Sequence, residues 1–144
     1  MRLKDRVAVV TGGGRGIGRT YSFRLAQEGA AVAVADIAIE DARKTADEIV
    51  QGRGKAAAIH LDVGDLSSIE RCMKETAGRF GGIDILVNNA AMFTNLTRKS
   101  FHEIDAEEWD RVMEINLRGP FLCSKAVYPY MKQRGKGKII NISS

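Results

Sequence analysis

Cysteine and histidine are scarce in this sequence. Its 144 residues include two cysteines, Cys72 and Cys123, and two histidines, His60 and His102. Neither cysteine has a cysteine or histidine partner nearby in the sequence, and the histidines have no partner at the spacing of a metal site or a catalytic triad. We therefore expect no metal site, no disulfide framework and a protein of the reducing cytoplasm.

Long hydrophobic runs are also missing. The first apolar run covers residues 7–10, which is too short for the core of a signal peptide and far too short to span a bilayer. No linker, low-complexity tract or fixed-period repeat divides the chain. We expect a single soluble domain with no membrane partner.

The chain carries no large excess of charge of one sign. Its 22 basic and 18 acidic residues are scattered along the sequence, and the formal net charge is +4. We expect most of these charged side chains on solvated helix faces. The densest basic stretch is KQRGKGK at residues 132–138. We interpret it as a solvated turn, with a contact to a phosphate backbone as the alternative, and we predict no nucleic acid partner.

Five short apolar runs without strict alternation predict strands that are covered on both faces. They lie at residues 7–10, 31–35, 56–59, 83–87 and 138–142. Helical spacing predicts helices at residues 17–28, 39–51 and 66–80, and a long helical region at 106–132. This alternation predicts an α/β fold, a Rossmann-type doubly wound parallel sheet with flanking helices.

The last helical region has identifiable start and break signals. Asp105 precedes it, with Glu108 three residues later, so a side-chain oxygen can cap the first free N–H groups. Pro120 cannot donate to the carbonyl of Asn116, which predicts a break or kink. Trp109 has helical spacing with apolar neighbours, and we predict that it lies in the core.

Glycine is concentrated between the first predicted strand and the first predicted helix. Residues 11–18 read TGGGRGIG. Glycine tolerates positive φ and has no Cβ, so such a loop can bring backbone N–H groups close to a pyrophosphate at a helix start. The loop alone is weak evidence, because any tight turn can use glycine. The predicted cofactor contacts are Gly12, Arg15, Gly16, Ile17 and Gly18.

An acidic residue strengthens this prediction. Asp36 ends the second predicted strand, where a carboxylate can accept hydrogen bonds from a ribose diol. The same charge repels a 2′-phosphate, which favours NAD over NADP. Arg15 is a contrary signal, since it could reach a 2′-phosphate, but Ile37 adds no second cation beside Asp36. We predict that NAD binds here, with Asp36 and Ile37 at the adenosine ribose.

The chain resembles the short-chain dehydrogenase/reductase family. The glycine-rich loop matches the family's TGxxxGxG motif, and four further motifs follow in the family's order. These are LDV at 61–63, NNAA at 88–91, EIN at 114–116 and IINISS at 139–144. The resemblance implies an NAD(P)-binding Rossmann domain over residues 1–144, incomplete at its carboxyl end.

The resemblance implies further contacts to the cofactor. Asp62 would hydrogen-bond the adenine ring, with a turn or cap as its alternative role, and Val63 would contribute its backbone. Asn89 and Ala90 would line the cofactor ribose. Ala91 stands where the family usually has glycine, and it adds a methyl group near the nicotinamide.

The resemblance also implies catalytic residues. Ser144 would hold and polarise the substrate carbonyl, and Ser143, one position earlier on a strand, would point the opposite way. The Asn116 carbonyl, left without a donor by Pro120, would bind a water in a proton relay to a lysine. A plain helix break is the alternative for Asn116. Asn88 would stabilise the sheet.

The family's tyrosine and lysine, in a YxxxK motif, follow the catalytic serine, and this sequence ends before that motif. YPYMK at residues 128–132 has the same spacing, but it precedes the serine strand and lies on another helix. We interpret it as a coincidence. We expect the chain to be the first part of a longer enzyme and to be inactive alone.

The predicted function is NAD-dependent interconversion of a secondary alcohol and its ketone. Candidate substrates are a 3-oxoacyl thioester and a simple or aromatic secondary alcohol, and Met92 and Phe93 could line their pocket or pack in the core. Family members commonly pair through the helix at 120–132, so we expect a homo-oligomer, a dimer or tetramer. The alternatives are a non-catalytic dinucleotide-binding module and an S-adenosylmethionine methyltransferase.

Overall fold

A parallel sheet of five strands forms the centre of the structure, a computed structural model that describes residues 1–93, 96 and 98–143. The strands are β1 (Val7–Thr11), β2 (Ala31–Asp36), β3 (Lys55–His60), β4 (Ile85–Asn88) and β5 (Lys138–Asn141). Their order in the sheet is β3-β2-β1-β4-β5. The predicted Rossmann-type sheet is therefore confirmed, although β4 begins at Ile85 rather than at residue 83.

Helices cover both faces of this sheet. They are α1 (Gly16–Gln27), α2 (Ile39–Gln51), α3 (Leu66–Phe80), α4 (Ala106–Met113) and α5 (Gly119–Gln133), with a short 3₁₀ turn at Phe101–Glu103. A π-helical segment, Glu114–Arg118, joins α4 to α5. Within the described residues, no helix is both long and apolar enough to cross a membrane.

The strand order creates a switch point at the carboxyl edge of the sheet. From β1 the chain proceeds outward through β2 to β3, and it then returns to place β4 on the other side of β1. The loops that follow β1 and β4 therefore leave the sheet in opposite directions. Open α/β sheets bind their ligands in the crevice that this divergence leaves.

Two hydrophobic clusters hold the layers together, one on each face of the sheet. Val9 and Leu86 belong to the cluster under α3 and α5, whereas Ala8, Val10 and Val32 belong to the cluster that includes residues of α1 and α2. Alternate residues of β1 thus face opposite helix layers, as strand geometry requires. Cover on both faces explains why β1, β2 and β4 read as continuous apolar runs. The same prediction holds only in part for β3, and it is wrong for the edge strand β5, whose four residues are all exposed.

Both cysteines lie in the cluster under α3 and α5. Cys72 and Cys123 are free thiols with fully buried side chains. Burial raises the pKa of each thiol to about 12. Neither thiol forms an appreciable thiolate at neutral pH, so neither is a reactive nucleophile in the folded chain.

The long helical region starts and breaks where the sequence predicts. Asp105 Oδ1 accepts a hydrogen bond from the Glu108 N–H at 2.9 Å, which confirms the cap. The break takes the form of the π-helical segment, in which the Gly119 N–H reaches back to the Glu114 carbonyl. Pro120 lies at the start of α5, where its missing N–H is tolerated.

The prediction that Trp109 lies in the core is wrong, because 58% of this residue is exposed. Helix α4 has no buried residue. The periodicity of the sequence reports an apolar face, but it does not say what covers that face.

Asp84 connects three elements at the amino edge of the sheet. Its buried carboxylate accepts hydrogen bonds from the Val7 N–H at 2.9 Å, from Arg6 Nη1 at 3.0 Å and from Arg134 Nη2 at 3.1 Å. Burial alone would raise the pKa of Asp84, but the bonds from Val7, Arg134 and Arg6 outweigh it, and the net pKa is lowered. Arg134, in the predicted solvated turn, thus ties the end of α5 to β1 and β4.

Replacing Asp84 with asparagine is expected to lower the free energy of unfolding by about 2 kcal/mol, the size of a hydrogen bond to a charged group. Because the pKa is lowered in the fold, this stabilisation is complete above the unfolded-state pKa of about 3.9. It is lost as the pH falls through the lower folded value. Urea denaturation of the full-length protein at pH 7 and at lower pH measures both effects.

The matched control is Asp47→Asn, at an exposed position of α2. An equal loss of stability in the two variants, or a loss for Asp84→Asn that persists unchanged in acid, would contradict this account of Asp84.

Candidate functional site

The glycine-rich loop joins β1 to α1 at the carboxyl edge of the sheet, beside the switch point. Gly18, in the first turn of α1, is buried against the loop. A Cβ at this position would overlap the Gly12 carbonyl oxygen, so the close approach of helix to loop requires glycine. The start of α1 is thereby brought up against the end of β1.

Thr11 and Asn89 hold this loop to the turn after β4. Thr11 Oγ1 accepts hydrogen bonds from the backbone N–H groups of Asn89 at 3.0 Å and Ala90 at 2.9 Å. In return, Asn89 Nδ2 donates to the carbonyls of Thr11 at 3.1 Å and Gly12 at 3.2 Å. The two loops at the switch point are therefore one connected unit, and the predicted ribose contact of Asn89 stays a prediction.

The amino end of α1 faces solvent. Arg15, Gly16 and Ile17 are exposed. Arg15 occupies the N-cap position without a side-chain cap, and the first turn contains no acidic residue. By contrast, α3 and α4 are capped by the side chains of Asp65 and Asp105. The positive end of the α1 dipole is therefore not neutralised by a side chain at its N-cap or in its first turn.

Asp36 ends β2 next to the same loop and is only 6% exposed. Its Oδ2 accepts from the Gly14 N–H and its Oδ1 from the Ala38 N–H, each at 3.0 Å. A carboxylate has about four acceptor sites, so further hydrogen bonds remain possible. Ile37, beside it, projects into solvent with 57% exposure.

Asp62 and Val63 follow β3 along the same edge. Asp62 Oδ1 accepts from the Gly64 N–H at 2.8 Å, so this oxygen stabilises the turn, as the alternative interpretation of Asp62 expects. Val63 is buried against Gly119, where α5 begins. The predicted adenine contacts of both residues stay predictions.

A cleft of about 610 Å³ opens beyond β4 and β5. It brings together residues from three sequence motifs that are far apart in the chain, namely the NNAA turn, the π-helical segment with the start of α5, and the end of β5. Its lining includes Asn88, Ala90, Ala91, Asn116, Pro120, Ser124, Asn141 and Ser143.

Asn116 connects the π-helical segment to the turn after β4. Its Oδ1 accepts from the Met92 N–H at 2.7 Å, and its Nδ2 donates to the Met92 carbonyl at 3.1 Å. The side chain is thus used for structure, while the backbone carbonyl lacks the α-helical donor that Pro120 cannot supply. The relay role predicted for this carbonyl stays a prediction.

Asn88 joins the two strands that border the cleft. Its Nδ2 lies 2.8 Å from Asn141 Oδ1 on β5 and 3.2 Å from Ser124 Oγ on α5. These contacts agree with the structural role predicted for Asn88. Ser124 was not singled out by the sequence, because a lone polar residue in a helix carries no pattern of its own. Asn141 lies in the IINISS motif, but no role was predicted for it.

Ser144, the predicted catalytic serine, lies outside the described residues. Ser143 lines the cleft. The prediction that it points opposite to Ser144 stays a prediction. Phe93 is 78% exposed, which excludes core packing for this residue.

Comparison with known proteins identifies the family. A short-chain dehydrogenase family model matches residues 6–144, and the chain belongs to that family. This membership excludes the methyltransferase alternative. Because the sheet has the strand order of a dinucleotide-binding fold, the family and the observed architecture agree.

Three relatives are dehydrogenases by name. The chain is 48% identical to a sorbitol dehydrogenase of Cereibacter sphaeroides and 46% identical to a galactitol 2-dehydrogenase of Agrobacterium fabrum, in each case over 100% of this chain and 54% of the relative. It is 42% identical to a trans-4-hydroxycyclohexanecarboxylate dehydrogenase of Sinomonas cyclohexanicum, over 99% of this chain and 56% of the relative. The chain thus spans about half the length of the curated relatives that it matches.

Proposed function

We propose that the protein containing this chain is an NAD-dependent oxidoreductase that interconverts a secondary alcohol and its ketone. One observation carries the proposal. The glycine-rich loop, Asp36 and the cleft at Asn116 lie along one edge of the sheet, and Thr11 and Asn89 tie the loop to the turn that borders the cleft. The proposed nucleotide site and the proposed substrate site would therefore be adjacent, as hydride transfer requires.

The residues present fit a dinucleotide. The uncapped first turn of α1, at Gly16 and Ile17, offers backbone N–H groups to a pyrophosphate, and exposed Arg15 adds a cation beside it. Asp36 would accept hydrogen bonds from the ribose hydroxyls through its remaining lone pairs. Because its charge opposes a 2′-phosphate and Ile37 supplies no cation, we favour NAD over NADP.

The remaining contacts follow the edge of the sheet from the glycine-rich loop to the cleft. Asp62 and Val63 would bind the adenine, and Asn89, Ala90 and Ala91 would border the ribose and nicotinamide. These assignments are supported by the position of each residue at the carboxyl edge, on the loops after β3 and β4. The methyl group of Ala91, which lines the cleft, would narrow it on the nicotinamide side.

When bound, the nicotinamide would accept a hydride from the alcohol, or donate one to the ketone in the reverse direction. Ser144 would donate a hydrogen bond to the substrate oxygen and favour the developing oxyanion during reduction. The Asn116 carbonyl would hold a water of a proton relay. Two features support this role for Asn116: it lies in the π-helical segment, and Pro120 cannot donate to its carbonyl.

Two of the named relatives act, by name, on sorbitol and galactitol. We therefore propose a sugar alcohol as the first substrate class to test, ahead of a 3-oxoacyl thioester. Exposed Phe93 follows Met92, which Asn116 holds at the border of the cleft, so this side chain is available to a substrate.

We also propose a homo-oligomer and a cytoplasmic location. Four large side chains on α4, the π-helical segment and α5 are 58–64% exposed, namely Trp109, Leu117, Phe121 and Tyr128. Exposed apolar patches of this kind mark protein interfaces.

The two free, buried thiols are compatible with a reducing compartment.

The cofactor proposal predicts that the full-length protein binds NADH more tightly than NADPH. Asp36→Asn is expected to reduce this preference by about tenfold, because it removes one screened charge–charge repulsion. Isothermal titration calorimetry with both cofactors measures the change. Asp47→Asn is the control, in which the selectivity should not change. Unchanged selectivity in Asp36→Asn would contradict the proposal that the 2′ position of the adenosine ribose lies beside Asp36.

The catalytic proposal predicts that the full-length protein reduces NAD in the presence of sorbitol or galactitol. Ser144→Ala should lose about 2.7–4 kcal/mol of transition-state stabilisation, the range for one oxyanion donor. Ser143→Ala should lose far less. Steady-state rates decide between the two serines. A large loss of activity in Ser143→Ala, with Ser144→Ala still active, would assign the donor to Ser143 instead.

The oligomer proposal predicts that Phe121→Arg dissociates the assembly, because it places a charge in the centre of the exposed apolar face. Sedimentation velocity should show a smaller species. Val50→Arg is the matched control, since Val50 is 52% exposed on α2, away from this face. Equal sedimentation of parent and Phe121→Arg would count against an interface on these helices.

A further inference from the structure

Helix α2 contacts the glycine-rich loop directly. Gly14, in the middle of the loop, is buried, and its N–H donates to Asp36 Oδ2 at 3.0 Å. Its carbonyl oxygen accepts a hydrogen bond from Thr45 Oγ1 on α2 at 2.8 Å. Both backbone polar groups of Gly14 therefore have side-chain partners, one at the end of β2 and one on α2.

The loop packs against α2 with no space between them. A Cβ on Gly14 would lie 2.8 Å from the Ala42 nitrogen and 2.9 Å from the Asp41 carbonyl carbon, so only glycine allows this approach. Asp36 Oδ1 also accepts from the Ala38 N–H, at the N-cap of α2. The loop, Asp36 and the first turns of α2 thus form one hydrogen-bonded unit.

Thr45 uses its hydroxyl in an unusual way for a helical threonine. A serine or threonine inside a helix commonly bonds back to a carbonyl of its own helix. Thr76 does so in α3, where its Oγ1 donates to the Cys72 carbonyl at 2.8 Å. Thr45 is equally buried, at 1% exposure against 0% for Thr76, but it donates out of its helix to the loop.

We propose that Thr45 is a positioning residue for the nucleotide site. Its hydroxyl fixes the Gly14 carbonyl, and Gly14 in turn holds Asp36 Oδ2, so the loop and the ribose-binding carboxylate are oriented together. This inference rests on the proposed function, because it requires a dinucleotide at the loop.

Loss of the Thr45 hydroxyl leaves the Gly14 carbonyl buried without a donor. A buried acceptor without a partner is costly, so the loop must move toward water to satisfy it. Asp36 is bonded to the same residue and moves with it. The affinity for any ligand that carries adenosine ribose and pyrophosphate should fall, whatever its nicotinamide end.

The experiment compares four forms of the full-length protein: the parent, Thr45→Val, Thr45→Ser and the matched control Thr76→Val. Calorimetry with NADH and with ADP-ribose measures binding, and urea denaturation measures stability. Thr45→Val should weaken both ligands about five- to tenfold, as expected for one buried hydrogen bond. Thr45→Ser should restore parental affinity. Thr76→Val, which removes an equally buried hydroxyl bonded within its own helix, should keep its affinity within about twofold.

Kinetics give a second readout. In Thr45→Val the KM for NAD should rise while kcat at saturating NAD stays close to the parental value, because the residue contacts neither substrate nor nicotinamide in this arrangement. If Thr45→Val does not fold, Thr45→Ala replaces it at a temperature where circular dichroism shows the native fold. The same loss of affinity for NADH and ADP-ribose is then expected of Thr45→Ala.

Parental binding by Thr45→Val, or equal weakening by Thr76→Val, would overturn the role of Thr45 and leave the proposed function intact. A parent that binds neither NADH, NADPH nor ADP-ribose would overturn the proposed function and this inference together.

Discussion

The position of β1 between β2 and β4 is the constraint on which the candidate site depends. All five residues of β1 are buried, and the strand pairs with β2 along its full length and with β4 over Ala8–Val10. Because both of its edges are used, the chain must leave β1 at its carboxyl end as a tight loop. The chain also leaves β4 at the same edge, in the opposite direction. The crevice between these two exits is a direct consequence of the strand order.

Short polar side chains then hold the loops in that crevice. Thr11 and Asn89 join the loop after β1 to the turn after β4, and Thr45 joins the same loop to α2. Most of these bonds run from a side chain to a backbone group, so they order loop backbone that has no strand or helix partner. The backbone N–H groups at the start of α1 are thereby held in place before any ligand arrives, and less ordering is required on binding.

The cleft beside the loops depends on an irregular helix. Gly119 and Pro120 follow the π-helical segment, and Asn116 within that segment reaches across to Met92. π-helical turns inside longer helices are frequent at functional sites, because the extra residue changes the direction of side chains and carbonyls. Here the Asn116 side chain holds the turn after β4, while Pro120 cannot donate to its backbone carbonyl.

Local patterns in the sequence were sufficient for the elements and for the glycine-rich loop. The apolar runs of the strands, the cap at Asp105 and the break before Pro120 depend on neighbouring residues alone, so they could be predicted with small errors in their bounds. The family could also be identified, since its motifs are contiguous. Gly18 and Asp36 belong to such motifs, and the structure places both at the predicted loop.

Only the tertiary structure decided which partner each polar or apolar side chain has. The apolar face of α4 predicted a buried Trp109, but the sheet does not cover that helix and the side chain is exposed. Arg134 lies in a glycine-rich basic stretch typical of solvated turns, yet it pairs with buried Asp84, which is distant in the sequence. Thr45 is one threonine in a polar helix, and its bond to Gly14 requires α2 to cross the loop. The sequence by itself determined the elements, their order along the chain and the residues that lie at the sheet edge, because these follow from short-range periodicity and motif spacing. The fold decided the contacts between distant residues, because such contacts depend on how the layers pack.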